Sequence, residues 1–459
     1  MNHRRWIGGF CAAALGALAA GCGDFWYGEE DKTEAAVTTP AGVQTGDVSI
    51  LYTLKGDTGT EDVQVVFSTN GVTFTNASPA PGSEGTDNLT VTPDGAPHTF
   101  IWRSKTDLTN DREGSVLIRV RPDEGVSDTT GPIAVHNARF LASVNDQAAG
   151  EVRLHRLDAV DGALTFLEAE PTGGTEPAEV LYNSGHFLVS HETTNNVAVL
   201  ALDVTAGALG PVAGSPFAGD GGGARYMATN GNRVFLSNTT SGTITIFDWN
   251  AQTRALSRNP ASGRVAFGCR GLAVWNERLY VASETSGTII IFDIGADGSL
   301  TPNIATPISS GGLSSPRAIL AEGTRLHAAN FASPSIAGFN LQGSGDASVI
   351  AGSPFATSRD GLEALARNGS KLFAVNGAGA ALLAFTIDAA GALTEDAASP
   401  LTLSGPSFGL ATAGAVVTAV TTTSKKIEVF LIGADGVVAP LTGGVVDAGV
   451  ELRSVAVSD

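Results

Sequence analysis

Past residue 46, short stretches in which apolar and polar residues alternate run almost the whole length of the chain. Gly, Asn, Asp, Ser or Pro interrupts them every few residues. Period-two alternation bounded by turn residues predicts half-buried strands. Between residues 47 and 137 such stretches lie at Val48–Leu54, Val63–Phe67, Val72–Phe74, Asn88–Val91, His98–Trp102, Val116–Val120 and Ile133–Val135. Seven short strands in a segment of this size predict a small β-sandwich, with Trp102 as its core aromatic.

Residues 138–459 carry an internal repeat. RVFLSNTTSGTITIFD (Arg233–Asp248) and RLYVASETSGTIIIFD (Arg278–Asp293) are close copies, and weaker copies lie at Phe140–Asp158, Phe187–Asp203, Leu326–Asn340, Leu372–Asp388 and Val416–Ile432. One equivalent position reads His155, Leu200, Phe247, Phe292, Phe339, Phe385 and Phe430, at intervals of 45, 47, 45, 47, 46 and 45 residues. A period of this size, with strand-type alternation in every copy, predicts one propeller blade per copy. The fold class expected is therefore all-β, a seven-bladed β-propeller preceded by a small β-sandwich. Inner strands start near Glu179, Arg225, Arg270, Arg317, Glu363 and Ser407, but the first copy lacks one. ELRSVAV (Glu451–Val457) has the missing pattern. The last strand is expected to complete the first blade, which removes an edge open to aggregation.

Some of these segments resemble a known family. LYVAS (Leu279–Ser283), AGSPFA (Ala213–Ala218, repeated at Ala351–Ala356) and SPRA (Ser315–Ala318) resemble the repeats of lactonase-type, YVTN-repeat seven-bladed propellers. These include 6-phosphogluconolactonase-like proteins. The resemblance covers residues 138–459 and specifies the fold well. It specifies activity poorly, because one propeller family hosts enzymes and binders alike. In the enzymes the inner strand after a Pro-Arg commonly carries a His; here Pro316-Arg317 leads into Ala318-Ile319-Leu320. HTFIWRS (His98–Ser104) with LIRVRP (Leu117–Pro122) resembles the immunoglobulin-like modules of bacterial cell-surface proteins. With no disulfide to pack against Trp102, the fibronectin-III-like form is the nearer analogy.

Composition narrows the partners. The chain has 459 residues with 46 acidic and 27 basic side chains, a formal charge of −19, and 57 glycines. That glycine share is about twice the usual ~7%, as many tight turns require. No basic stripe exists to neutralise phosphates, which excludes nucleic-acid binding. Arg4 and Arg5 precede an apolar run, Trp6–Ala20, that is too short for a membrane span of ~20 residues. It reads as a signal peptide. LAAGC (Leu18–Cys22) resembles a bacterial lipobox, which implies removal of residues 1–21, lipidation of Cys22 and a membrane anchor in the cell envelope. Gly23, in place of the Asp that signals inner-membrane retention in some bacteria, points to the outer membrane. Residues 22–46 read as a flexible tether. Cys11 leaves with the signal, so Cys269 is the one thiol left and no internal disulfide is expected.

The candidate chemistry lies where the inner strands begin. Going round the blades, the aligned position reads Arg453, Glu179, Arg225, Arg270, Arg317, Glu363, Ser407. Glu179 can neutralise Arg225 and Glu363 can neutralise Arg317, which leaves Arg270 as the expected anion trap. These residues can equally cap strand ends as a purely structural network. The loops after the second strands offer Asn145, His191, Glu192, Asn238, Glu284, Asn330 and Asn376. His191-Glu192 is the one His–carboxylate pair among them and the weak candidate for acid–base work. His155, His186 and His327 show no metal-ligand spacing, and no nucleophile elbow, P-loop or dinucleotide fingerprint is present. No metal or cofactor is expected. The function expected is binding of a partner protein or of a small anionic or sugar-like ligand at the channel mouth. The alternatives are a lactone hydrolase using His191 or Glu192 with Arg270, and an envelope scaffold without a ligand.

Overall fold

The computed structural model describes residues 32–458 apart from 43, 45, 109–111, 138, 146, 159–160, 304–307, 310 and 344–346. The signal segment and Cys22 lie outside the described residues. The chain forms two compact units. One contains the described residues up to Pro40, Ser49–Trp102 and Leu117–Gly131; the other contains Ala41–Val48, Arg103–Val116 and Pro132–Asp459.

The first unit holds two larger sheets and a two-stranded one, Gly59–Glu61 with Leu89–Val91. One larger sheet has the strand order Ala96–Arg103, Asp47–Lys55, Thr33–Val37, Gly125–Val126; the other runs Asp128–Thr129, Arg112–Pro122, Val63–Ser68, Thr75–Asn76. Trp102, fully buried, projects from the first sheet and meets Phe67 of the second at a ring-centroid distance of 5.2 Å. The segment read as a flexible tether contributes a strand. Thr33–Val37 pairs antiparallel with the next strand, Ala35 opposite Leu54. Thr33 and Ala35 are buried while Glu34 and Ala36 face solvent, so a polar residue points inward and an apolar one outward, and the hydropathy does not alternate with the burial.

The second unit contains seven antiparallel sheets arranged as propeller blades. Their inner strands are Leu452–Val457 (blade 1), Pro177–Asn183 (blade 2), Ala224–Thr229 (blade 3), Cys269–Trp275 (blade 4), Pro316–Glu322 (blade 5), Leu362–Asn368 (blade 6) and Ser407–Ala413 (blade 7). The second strand of each blade, for example His186–His191 or Lys371–Asn376, is buried along almost its whole length. Side chains on both of its faces pack against neighbouring blades, so it reads as an apolar run rather than an alternation. The repeated aromatic, Phe247, Phe292, Phe339, Phe385 and Phe430, is at most 2% exposed in every copy.

The ring closes through the chain end. Leu452–Val457 pairs antiparallel with Arg139–Asn145, Leu141 opposite Val457 and Val144 opposite Ser454. Ser458 accepts the Phe140 N–H through its Oγ at 2.9 Å. Leu452 and Val455 join Leu141, Val416, Val420 and Ile427 in the core between the first and last blades. The expected closure is the one observed.

Candidate functional site

All seven inner strands share one irregularity near their starts. Pairing with the second strand shifts register between Pro177 and Glu179, Ala224 and Met227, Cys269 and Leu272, Pro316 and Ala318, Leu362 and Ala364, and Ser407 and Gly409. In blade 1 the shift falls where Leu452 and Ser454 face Asn145 and Val144. A β-bulge leaves one residue outside the ladder and re-aims its side chain. Counted from the last paired residue before each shift, the bulged positions are Arg453, Ala178, Arg225, Arg270, Arg317, Glu363 and Phe408. The ring expected from sequence differs at two places. Glu179 stands one residue beyond the ring and Ser407 one residue before it; Ala178 and Phe408 hold those positions. The repeat interval varies by a residue or two between blades, so alignment by period slips by one in these two, and one residue of slip exchanges the sheet faces.

The next residues along the strands crowd the channel axis. A Cβ on Gly271 would lie 2.6 Å from the Arg317 carbonyl oxygen, and one on Gly409 would lie 2.7 Å from Ser454 Cα. Only glycine lets inner strands approach so closely. What space remains is a cavity of about 140 Å³, lined by Glu179, Tyr226, Ala318, Glu363, Phe408 and Ser454 among others.

The ring charges pair differently from expectation. Arg270 is not left over: its Nε donates to Glu284 at 2.5 Å. Glu284 also receives Arg317, whose Nη2 lies 2.7 Å from Oε1. Arg317 reaches Glu363 as well, and its guanidinium carbon sits 3.2 Å from the centre of the Phe331 ring. On the other side of the mouth, Glu192 accepts from Arg453 Nη2 at 2.8 Å. Arg225 lies 3.8 Å from the same carboxylate and makes no side-chain hydrogen bond to a described residue. Arg225 is therefore the under-bonded arginine. Its expected partner, Glu179, instead accepts the Met227 N–H. Burial pushes the Glu179 carboxyl up to about 8, against the pull of that hydrogen bond and of Arg225. At neutral pH it is mostly the uncharged acid.

The His191-Glu192 pair separates. His191 is fully buried, and its Nε2 lies 2.7 Å from Thr172 Oγ1. Gly174 packs directly on the ring. Burial holds the imidazole down to about 4, so it is neutral and sealed from the mouth. Glu192 is committed to its arginines. Neither side chain stands free to activate water. Cys269 is buried and its thiol is pushed up to about 11 by burial. Among the described residues no group of three or more His, Cys, Asp or Glu side chains comes together.

Tyr226, Phe331, Phe408 and Ala178 belong to the mouth and were not singled out from sequence. Tyr226 and Phe408 adjoin ring positions in the repeat alignment, and counting one residue either side would have found both. Nothing in the sequence marks Phe331.

No family model matches the chain, and no curated protein matches it. Solved structures do. A Pseudomonas aeruginosa periplasmic gluconolactonase shares 16% identity at a TM-score of 0.56, over 70% of this chain and 99% of that one. A protein from Lactobacillus plantarum shares 16% at 0.59, over 70% and 99%. A Bacteroides fragilis protein provisionally assigned as a 6-phosphogluconolactonase shares 17% at 0.58, over 70% and 98%. The molecule is an all-β protein whose larger unit has the fold of the lactonase-like seven-bladed propellers. At this identity the likeness speaks for the fold alone.

Proposed function

We propose that the propeller binds a small anionic ligand, sugar-like in size, at the mouth ringed by Arg453, Arg225, Arg270 and Arg317. One observation carries this reading. Four blades each deliver an arginine to one concave mouth, and one of the four, Arg225, makes no side-chain hydrogen bond to a described residue and stands 3.8 Å from the Glu192 carboxylate. Convergent polar groups in a concavity, with an unsatisfied cation among them, suit an anion. In a chain of net charge −19 that spot also stands out as a local positive field. Calorimetric titration with small carboxylates and sugar phosphates tests it. Wild type is expected to bind at least one of them, and Arg225→Ala to weaken that binding by about tenfold or more, the worth of a charged hydrogen bond. Absence of binding by wild type across the panel rejects the reading.

Lactone hydrolysis is the second reading, and the protonated Glu179 beside Arg225 favours it, since an uncharged carboxyl at a substrate mouth suits a general acid. The burial of His191 and the bond from Arg453 to Glu192 weigh against those two as its catalysts. Turnover of a lactone panel that disappears in Glu179→Gln supports it; no turnover by wild type removes it.

The envelope location rests on residues 1–22. Cys22→Ser is expected to move the protein from the membrane to the soluble fraction on cell fractionation. A variant as membrane-bound as wild type rejects the lipid anchor.

A further inference from the structure

Blade 2 is the exception in the ring. The other six bulged residues are arginine, glutamate or phenylalanine, while blade 2 presents Ala178. The missing bulk leaves a recess of about 30 Å³ lined by Ala178, Glu179, Arg225, Tyr226, Glu363 and Arg453 among others. That exceeds the roughly 10–15 Å³ needed to seat one water, and suits a group of two or three heavy atoms. Arg225 lines it, and its side chain makes no hydrogen bond to a described residue.

We infer that the recess at Ala178 seats a single carboxylate group, so that the mouth selects monocarboxylates over phosphate esters. This rests on the reading of the mouth as an anion site. Charge and shape both lead to it. With Glu179 in its acid form, the guanidinium groups of Arg225, Arg270, Arg317 and Arg453 face the ion-paired carboxylates of Glu192, Glu284 and Glu363, which leaves one positive charge unmatched. A monoanion balances it. A phosphate ester, at about −1.5 to −2 near neutral pH, overshoots and brings three oxygens instead of two. A planar carboxylate also matches the guanidinium fork of Arg225.

Glu179 decides the pH range. The groups facing it are Arg225 and Tyr226 on blade 3, Arg453 and Ser454 on the closing strand, and Glu363 and Phe408 across the recess. Glu192 stands behind the two arginines. In its acid form Glu179 can donate an O–H to the incoming carboxylate. Once ionised it places a second negative charge against the ligand. Its titration near 8 means that carboxylate binding holds at neutral pH and falls as pH rises through that value.

Calorimetry on the full chain tests the inference with gluconate and glucuronate against glucose 6-phosphate. Both carboxylates are expected to bind about tenfold or more tightly than the phosphate ester at neutral pH. Ala178→Leu, which fills the recess, is expected to reduce carboxylate affinity by a similar factor and to leave glucose 6-phosphate unmoved. Glu179→Gln, which keeps an uncharged donor, is expected to flatten the loss of affinity seen in wild type between about pH 7 and pH 9. If Ala178→Leu does not fold, Arg225→Gln replaces it and should erase the preference for carboxylate. Glucose 6-phosphate binding better than the carboxylates, or Ala178→Leu binding carboxylates as wild type does, overturns the recess and leaves the anion mouth standing. Wild type that binds none of the three overturns both.

Discussion

Two sectors of one ring use the same residue type for different ends. Arg270 and Arg317 occupy equivalent bulges in adjacent blades, share Glu284 between them, and Arg317 also holds Glu363. Their charge is spent on each other's carboxylates, and that sector is a clamp between blades. Arg453 and Arg225 flank a blade whose bulge is only Ala178. They share Glu192, which bonds Arg453 and stands off from Arg225. Here one guanidinium is left under-bonded beside an uncharged carboxyl and an open recess. Repeat symmetry puts arginine in both places; the neighbours decide which arginine is committed to carboxylates and which is left under-bonded.

The largest effect is expected from removing what the second sector borrows from the chain end. Deleting Glu451 onward takes away Arg453 and Ser454 together with the closing strand. Burial of Leu452 and Val455 alone is worth about 3–6 kcal/mol, against a typical total of about 5–15 kcal/mol for a folded domain. The edge of Arg139–Asn145 is exposed besides. Chemical denaturation should show loss of the cooperative transition or insoluble protein. A truncated chain that unfolds at the wild-type midpoint would mean that the Arg453 sector does not depend on closure.

A smaller effect separates the sectors by their carboxylates. Glu284→Gln weakens the bonds to two arginines at once and is expected to cost about 1–3 kcal/mol, tempered by the partial exposure of the carboxylate. Glu192→Gln weakens one close contact and is expected to cost about 1 kcal/mol or less. Unfolding midpoints of the two variants check the order. Equal or reversed losses would show that the Arg453–Arg225 side is as much a clamp as the Arg270–Arg317 side. Ligand titration then sharpens the contrast: Arg225→Ala should cost affinity at little cost in stability.

The propeller itself was legible in the chain. Its period, the buried Phe of five of the repeats and the strand missing from the first copy all survive translation into structure, because each blade must bury the same faces against its neighbours. The short strand Thr33–Val37 was not, since its pairing partner lies in a different stretch and five residues carry too little pattern. The ring was half legible. Arg225, Arg270, Arg317, Glu363 and Arg453 stand where the alignment puts them, whereas Glu179 and Ser407 are displaced by one residue at the bulges.

What the sequence by itself determined is the architecture: a hydrophobic period that repeats at a near-constant interval can only be satisfied by stacked, equivalent sheets, and its broken first copy requires closure by the last strand. What only the tertiary structure decided is the chemistry of the mouth. Which carboxylate meets which arginine depends on bulges and on loops brought from other blades, at distances of a few ångströms that no spacing along the chain encodes. Glu179 was expected to be a counter-ion. Burial made it an acid instead, because the cost of placing a charge there outweighs the Met227 hydrogen bond and the attraction of Arg225.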